Sequence, residues 1–182
     1  HSDTALKASA AAPLTGGSNG AAVTSKQYQD YLDAISPYYF NVMGYPGTDK
    51  ETMGLLKNFV KRMRDDEGSK FQLVIYGDDT ADYEGIISIL NKAKDSGASP
   101  ASLVFWLTGA EASCAINASL TNADYDGEFT VDTAYSQLDL KRAIQTGRLA
   151  FHGVQETLSG ELVGKVKVLT DINTYTSYTK QK

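Results

Sequence analysis

The sequence predicts an α/β domain, a layered sandwich in which helices flank a mixed, partly parallel sheet and a β-hairpin lies near the C-terminus. Short apolar, β-branched runs alternate along the chain with segments of helical periodicity. One helical segment separates the apolar runs Tyr38–Gly44 and Phe71–Tyr76. Strand, helix and strand in this order favour parallel pairing through a right-handed crossover. Two later runs, Arg148–Val154 and Lys165–Thr170, are predicted to be the arms of the hairpin.

The first elements follow a stretch of small and polar residues that shows no period. We interpret residues 1–13 as a flexible arm or linker. The glycine-rich segment Gly16–Gly20 is predicted to be a turn, since glycine and asparagine tolerate positive φ. A helix is predicted over about Thr24–Ser36, because a threonine or serine at its start can cap it and its apolar residues recur at helical spacing.

The second helix has the clearest start signal in the chain. Thr48 and Glu51 have the spacing of a capping box, so the helix is predicted to begin there and to run to about Asp65. Gly68 is predicted to end it. Its apolar stripe is predicted to comprise Leu55, Leu56, Phe59, Val60 and Met63.

The second half of the chain continues the alternation. A short strand is predicted over Gly85–Leu90 and another over Glu128–Val131. A helix is predicted to begin near Ser99, where a capping residue precedes a first-turn proline. A further helix over Gln137–Thr146 is predicted to end at Gly147, a left-handed C-cap. The inner face of the helix that begins near Ser99 is predicted to contain Leu103, Leu107, Ala110 and Cys114.

Composition excludes several classes of function. At 182 residues the chain has the length of one domain, and its net charge of −5 opposes general binding to nucleic acid. The single cysteine, Cys114, excludes an internal disulfide framework and a multi-cysteine metal site, and we interpret it as a core residue. No apolar run reaches the roughly 20 residues of a membrane span. We therefore expect no cofactor, no metal and no membrane insertion.

A family resemblance is carried by segments that occur in one order along the chain. They are LTGGSNG (Leu14–Gly20), FVKRMRDDEGSKFQLVIYG (Phe59–Gly77), ADYEGIISI (Ala81–Ile89), LTGAEASCAINASLTNADYDGEFTV (Leu107–Val131), LAFHGV (Leu149–Val154) and VLTDINTYTS (Val168–Ser177). Together they resemble the core domain of contractile phage tail sheath proteins, above all those of prophages and phage-tail-like bacteriocins of Gram-positive bacteria.

The resemblance implies a fold, a role and a domain organisation. The fold is an α/β sandwich of subtilisin-like topology without protease function, and the role is that of a structural subunit rather than an enzyme. Sheath subunits polymerise around a tail tube, in particles assembled in the bacterial cytoplasm, and contract to drive the tube through a cell envelope. The resemblance places the core at residues 14–177, with 178–182 leading to a C-terminal domain outside this chain. By itself the chain is expected to be monomeric or weakly associating, because terminal arms link neighbouring subunits in this family.

The residues bear on two alternatives to a structural role. A serine protease needs a histidine base oriented by a carboxylate. The only histidines are His1 in the predicted arm and His152 in a predicted strand, and no GxSxG motif occurs. The second alternative is a flavodoxin-like domain that binds a small anion through the GGSNG turn, Gly16–Gly20. That turn lacks the context of a phosphate-binding loop, but the alternative stays open.

Charged side chains supply the candidate site residues. A basic helix face and an acidic loop are predicted to form salt bridges between stacked subunits, although a solvated helix face explains the basic residues as well. The residues concerned are Lys57, Lys61, Arg64, Asp78, Asp79, Asp82 and Glu84. A second acidic run, Asp124–Glu128, lacks the spacing of a calcium loop and is interpreted, like the first, as a solvated loop.

Overall fold

The structure is a computed structural model that describes residues 16–17, 20, 23–158 and 161–177. The predicted arm over residues 1–13, the residues 178–182 and part of the glycine-rich turn lie outside the described residues. Within that turn Gly16 and Gly20 have positive φ, as predicted. None of the helices among the described residues is long and apolar enough to cross a membrane.

A four-stranded sheet forms the centre of the fold. Its strands are β1 (Val42–Gly44), β2 (Gln72–Tyr76), β3 (Ile86–Ile89) and β4 (Arg148–Leu149), in the order β1-β2-β3-β4. Every neighbouring pair is parallel. The predicted α/β class with a partly parallel sheet and a C-terminal hairpin is confirmed. Apart from two isolated bridges, the antiparallel pairing among the described residues is confined to the hairpin.

The hairpin consists of β5 (Phe151–Leu158) and β6 (Glu161–Val168). They pair antiparallel from Phe151 opposite Val168 to Leu158 opposite Glu161. The predicted first arm, Arg148–Val154, is therefore wrong at its start. Arg148 and Leu149 pair with β3 in the parallel sheet, and the chain turns into the hairpin only after Ala150. A strand of only two residues is too short for hydrophobic periodicity to distinguish it from the strand that follows.

Two helices cover one face of the sheet. They are α1 (Ser25–Ile35), with Thr24 as N-cap, and α2 (Lys50–Asp65). Alternation along the strands decides which side chains meet them, so Leu73, Ile75 and Ile86 pack against the apolar stripe of α2. Leu56, Phe59, Val60 and Met63 of the predicted stripe are buried, whereas Leu55 is only half-buried and Met53 joins the buried set.

Helix α3 (Leu103–Ser113) covers the opposite face of the sheet and is preceded by a 3₁₀ turn, Pro100–Ser102, that Ser99 caps. Leu103, Val104 and Leu107 pack against the alternate strand residues Val74, Ile87 and Ile89. The predicted inner face is wrong at its C-terminal end. Ala110 and Cys114 are only half-buried, because both line open depressions of the surface, so Cys114 is not a core residue.

The last helix, α4 (Gln137–Gln145), is capped by Ser136 and buries Leu140 and Ala143. Gly147 has a φ of 68°, which confirms the predicted left-handed C-cap. The predicted strand Glu128–Val131 is wrong, since the segment contributes only an isolated bridge from Val131 to Ala93. The predicted capping box is also wrong. Asp49 is the N-cap of α2 and accepts a hydrogen bond from Thr52 N at 2.7 Å.

Helix α3 approaches the sheet closely at Gly44, the last residue of β1. A Cβ at Gly44 would collide with Thr108 Oγ1 and lie 3.1 Å from Thr108 Cβ. We expect Gly44→Ala to lower the free energy of unfolding by about 1–3 kcal/mol, because a packed helix must move away. Urea denaturation measures this, and Thr108→Ala in the same chain should restore about half of the loss. An equal loss in the single and double variants would contradict the assigned contact.

Candidate assembly surface

The predicted charged residues lie along α2 and in the loop that follows β2. Lys57 Nζ lies 2.7 Å from Asp78 Oδ2, and Asp78 is 8% exposed. Asp78 also accepts from Thr80 N at 3.0 Å and from the Thr80 hydroxyl, while its own N–H donates to Ser88 Oγ. Burial alone would raise the pKa of Asp78, but the hydrogen bonds from Lys57 and Thr80 outweigh it and lower that pKa below its usual value.

This pair is the most buried ion pair in the described part of the chain, so its loss should cost stability. We expect Lys57→Met to lower the free energy of unfolding at pH 7 by about 2–3 kcal/mol, because Asp78 would stay buried without its cation. Replacing Asp78 with Asn in the same chain should recover most of the loss. Lys26→Met, which breaks an ion pair with 82% and 60% exposed side chains, should cost less than about 0.5 kcal/mol. A loss for Lys57→Met as small as that of Lys26→Met would contradict a structural role for the pair.

Arg64 lies in the last turn of α2. Its Nη2 lies 2.9 Å from Glu84 Oε1, and its Nη1 donates to Phe71 O at 2.8 Å. Its guanidinium also lies over the ring of Tyr83, with 5.9 Å to the centroid, and Lys61 Nζ lies over the same ring at 5.5 Å. Two of the three predicted cations therefore flank one tyrosine.

Asp82 binds residues 176 and 177, the last two described residues of the chain. It accepts hydrogen bonds from Thr176 N at 2.9 Å, from Ser177 N at 3.0 Å and from the Ser177 hydroxyl. The Ser177 hydroxyl and these two amides lower the pKa of Asp82 to about 2. Its backbone has a φ of 41°, a conformation uncommon outside glycine, which these three hydrogen bonds help to maintain.

Thr174 completes this attachment from inside the protein. The residue is buried, its N–H donates to Ile86 O at 2.8 Å, and its hydroxyl donates to Tyr83 O at 3.0 Å. Tyr83 N donates back to the Thr174 hydroxyl. We call residues 171–177 the exit segment. Thr174 anchors the exit segment in the protein interior, and the segment ties the acidic loop to the start of β3.

The structure corrects the predicted arrangement of these charges. The basic helix face and the acidic loop lie against each other in one surface, so the cations and carboxylates meet within a single chain rather than on separate faces. Lys57 pairs with Asp78 and Arg64 with Glu84, whereas Asp79 is exposed and no ion pair among the described residues includes it. A role for this surface between subunits stays a prediction.

A second charged network lies beside the hairpin. Lys167 Nζ is 2.6 Å from Asp124 and 2.7 Å from Glu156, and Lys165 Nζ is 2.8 Å and 3.1 Å from the same two carboxylates. These lysines lower the pKa of both carboxyl groups. Asp126 accepts from Trp106 Nε1 at 2.6 Å. The predicted solvated loop thus binds protein cations, and no group of three metal-ligating side chains forms among the described residues.

The sequence did not identify an acidic contact between α3 and the exit segment. Glu111 Oε1 is buried and has no hydrogen-bond partner among the described residues. Burial, together with the nearby Asp171, raises the pKa of Glu111 to about 8. Asp171 in turn accepts from Leu120 N at 2.9 Å. The signal in the sequence was the lone carboxylate in the otherwise apolar helix LVFWLTGAEAS.

The raised pKa of Glu111 makes stability depend on pH. The folded chain holds this proton more tightly than the unfolded chain, whose value is near 4.5. The contribution of the Glu111 proton to the free energy of unfolding is therefore complete below about pH 4.5 and is lost as pH rises through about 8. We expect the free energy of unfolding of the unsubstituted chain to fall by about 2 kcal/mol between pH 5 and pH 9, a value reduced for the partial exposure of the Glu111 side chain. The variant Glu111→Gln should not show this fall. Urea midpoints across this range measure it, and parallel curves for both proteins would contradict it.

The remaining predicted residues are placed as follows. His152 lies in β5 opposite Lys167, and Trp106 packs against Tyr125 and Phe151. Tyr38 and Tyr39, which follow α1, are 69% and 96% exposed. His1 lies outside the described residues.

Comparison with known proteins identifies the family of this chain. The sequence model of the phage tail sheath protein central domain matches residues 21–174, which is most of the chain. The chain belongs to the phage tail sheath protein family. Its resemblance to sheath proteins in the sequence is confirmed, and the family indicates a structural rather than an enzymatic role in a phage tail.

Two relatives of this sheath domain come from Bacillus subtilis strain 168. The phage-like element PBSX protein XkdK is 30% identical over 181 residues, which are 97% of this chain and 37% of XkdK. The protein YqbK is 29% identical over 182 residues, which are 98% of this chain and 37% of YqbK. The chain therefore spans little more than a third of the length of each curated relative.

Solved sheath structures share the fold. The sheath tail protein of Desulfitobacterium hafniense is 37% identical with a TM-score of 0.78, over 98% of this chain and 41% of that chain. The sheath tail protein of Listeria innocua is 28% identical with a TM-score of 0.74, over 89% of this chain and 36% of that chain. The parallel sheet, its flanking helices and the hairpin are thus the architecture of a sheath domain.

Proposed function

We propose that this domain is the core of a sheath subunit that polymerises around a tail tube and contracts to drive the tube through a cell envelope. Its partners are other sheath subunits and the tube protein. The particle is a phage tail or a phage-tail-like particle assembled in the bacterial host cytoplasm. Residues 14–177 form the core, the residues before it an arm, and 178–182 the start of a connection to a further domain.

The observation that carries this proposal is the match of the sheath central-domain model to residues 21–174. Contacts that join separate elements of the fold support it. Buried polar contacts join the exit segment to the sheet, and the ion pair Lys57–Asp78 joins α2 to the loop after β2. A subunit that transmits force between two packings benefits from a core that moves as one body, while the interfaces change.

The flavodoxin-like alternative gains no support. In open α/β sheets, ligands bind in the crevice where the strand order reverses. Here the order β1-β2-β3-β4 is sequential and contains no reversal. The sheet therefore offers no crevice of that kind, and a structural role fits the geometry better.

Electron microscopy of a graft tests the proposal. The 182-residue chain replaces the matching segment of the Desulfitobacterium hafniense sheath tail protein, so that it carries the flanking segments of a longer relative. We expect tubular polymers in negative stain under conditions in which the unsubstituted host forms them, and a monomer or weak oligomer when the 182-residue chain is examined by itself. A folded graft that stays monomeric would contradict the proposal.

A further inference from the structure

Helix α3 differs from the other helices in the described chain because it has no polar side. Its sequence, LVFWLTGAEAS, contains one charged residue, Glu111. A helix that is apolar all round is normally covered all round. In this structure one side of α3 packs on the sheet while the other is open. Phe105 on the open side is 61% exposed, and Gly109, Ala112 and Ser113 are exposed beside it.

A shallow hollow of about 520 Å³ lies on this open side, between α3 and residues 120–126. Gly109 and Ala110 line it and are small enough to leave room for a side chain to approach the helix backbone. Phe105 and Asp126, which carries a carboxylate, also line it. The hollow is therefore suited to an apolar side chain that is accompanied by a cation.

The outward side of α4 has this chemistry. Leu138 is 55% exposed, and Lys141 and Arg142 follow it at the i+3 and i+4 positions of the same helix face. No ion pair among the described residues includes either cation. The opposite side of α4 is the one that faces the core, through Leu140 and Ala143.

We propose that the open side of α3 is an interface that receives the outward side of α4 from a second copy of this chain. Leu138 enters the hollow beside Phe105, and Lys141 and Arg142 approach the carboxylate of Asp126. Charge complementarity favours this occupant, since Asp126 lines the hollow and α4 supplies an exposed leucine that is followed one turn later by two cations. This inference rests on the proposed function, because it names a subunit contact of the same assembly.

The position of the two surfaces gives the contact its direction. Helix α3 packs on β1 and β2, whereas α4 packs on β4 at the far edge of the sheet. Two different surfaces on opposite sides of one molecule form a head-to-tail contact, which continues from copy to copy and closes into a ring or extends as a helix. A contact in which both copies used the same surface would instead give a closed dimer.

Crosslinking between copies tests the interface. In the graft, with Cys114→Ser as background, Ala112→Cys on α3 and Gln145→Cys on α4 are treated with a short bis-maleimide. We expect a ladder of dimers, trimers and larger species on a denaturing gel. A control pair, Ala112→Cys with Lys26→Cys on α1, should give no ladder, because α1 lies on the other face of the sheet. Leu138→Asp should reduce the pelleted polymer at least tenfold, whereas Lys26→Asp should leave it unchanged.

The outcomes separate this interface from the proposed function. A graft that polymerises but gives no ladder with the 112–145 pair contradicts the interface alone. Equal ladders for the test and control pairs also contradict it, because they indicate random collision. An unsubstituted graft that folds and does not polymerise contradicts the proposed function and this interface together. Circular dichroism of each variant confirms that it is folded before its assembly is scored.

Discussion

Replacing Asn91 with leucine is expected to lower the free energy of unfolding by about 3–5 kcal/mol, a large part of the 5–15 kcal/mol that stabilises a typical domain. Asn91 is fully buried just after β3. Its amide donates to Asp132 O at 2.8 Å and to Phe151 O at 2.9 Å, and its carbonyl accepts from Phe151 N at 2.7 Å. One side chain thus joins the parallel sheet to the start of the hairpin.

Leucine has nearly the shape of asparagine and none of its hydrogen bonds. The substitution would leave one N–H and two carbonyl groups buried without partners, and each such group costs about 1–3 kcal/mol. Chemical denaturation followed by circular dichroism measures the loss. Asn58→Leu, at an exposed position of α2, is the matched control and should change stability by less than about 0.5 kcal/mol. A loss below about 1 kcal/mol at Asn91 would contradict its bridging role.

The second large effect is expected at Gly147, where Gly147→Ala should cost about 2–4 kcal/mol. The residue has a φ of 68°, and a Cβ there would lie 2.8 Å from Thr174 Cα and 3.0 Å from Asn173 O. Both neighbours are backbone atoms of the exit segment, so the clash cannot be relieved by a side-chain rotation. The penalty therefore combines an unfavourable backbone conformation with displacement of the exit segment.

Gly68→Ala separates these two contributions. Gly68 has a φ of 74° and nothing within 4 Å of the position of a Cβ, so alanine there should cost only about 1–2 kcal/mol. Limited proteolysis gives a second readout, since Gly147→Ala should expose residues 171–177 to cleavage and Gly68→Ala should not. Equal losses for the two variants would show that Thr174 does not restrict position 147.

Local signals in the sequence predicted the elements that depend on local physics. The stripe of α2 and the glycine that ends α4 were predicted because helical spacing and positive φ are properties of a few neighbouring residues. The N-cap of α2 was placed one residue too early. Thr48 and Asp49 are both good caps, and only the fold decides which of them faces the free amide of Thr52.

The contacts that assemble the domain could not be predicted from sequence. Asp82 binds Ser177, and Asn91 binds Phe151, across 95 and 60 residues of chain. No local pattern marks such pairs, because they depend on how the strands are ordered. β4 was missed as a separate strand for the same reason. Its two residues are a strand only because Ser88 and Ile89 lie beside them.

The charged residues illustrate the same limit for the candidate site. The sequence identified Lys57, Arg64, Asp78 and Glu84 as members of a possible salt-bridge set. It did not reveal that they pair within one chain, as Lys57 does with Asp78. It also gave no indication that the outer side of α3 stays open, since an apolar helix is predicted to be buried.

Helical reconstruction of the polymers formed by the graft is the most direct test of the central claim, that this chain is the core domain of a tail sheath subunit. Cryo-electron microscopy should show a hollow tube whose wall repeats the four-stranded parallel sheet with α1 and α2 on one face and α3 on the other. Tubes whose wall lacks this domain, or a folded graft that forms no tubes where the host does, would contradict the claim.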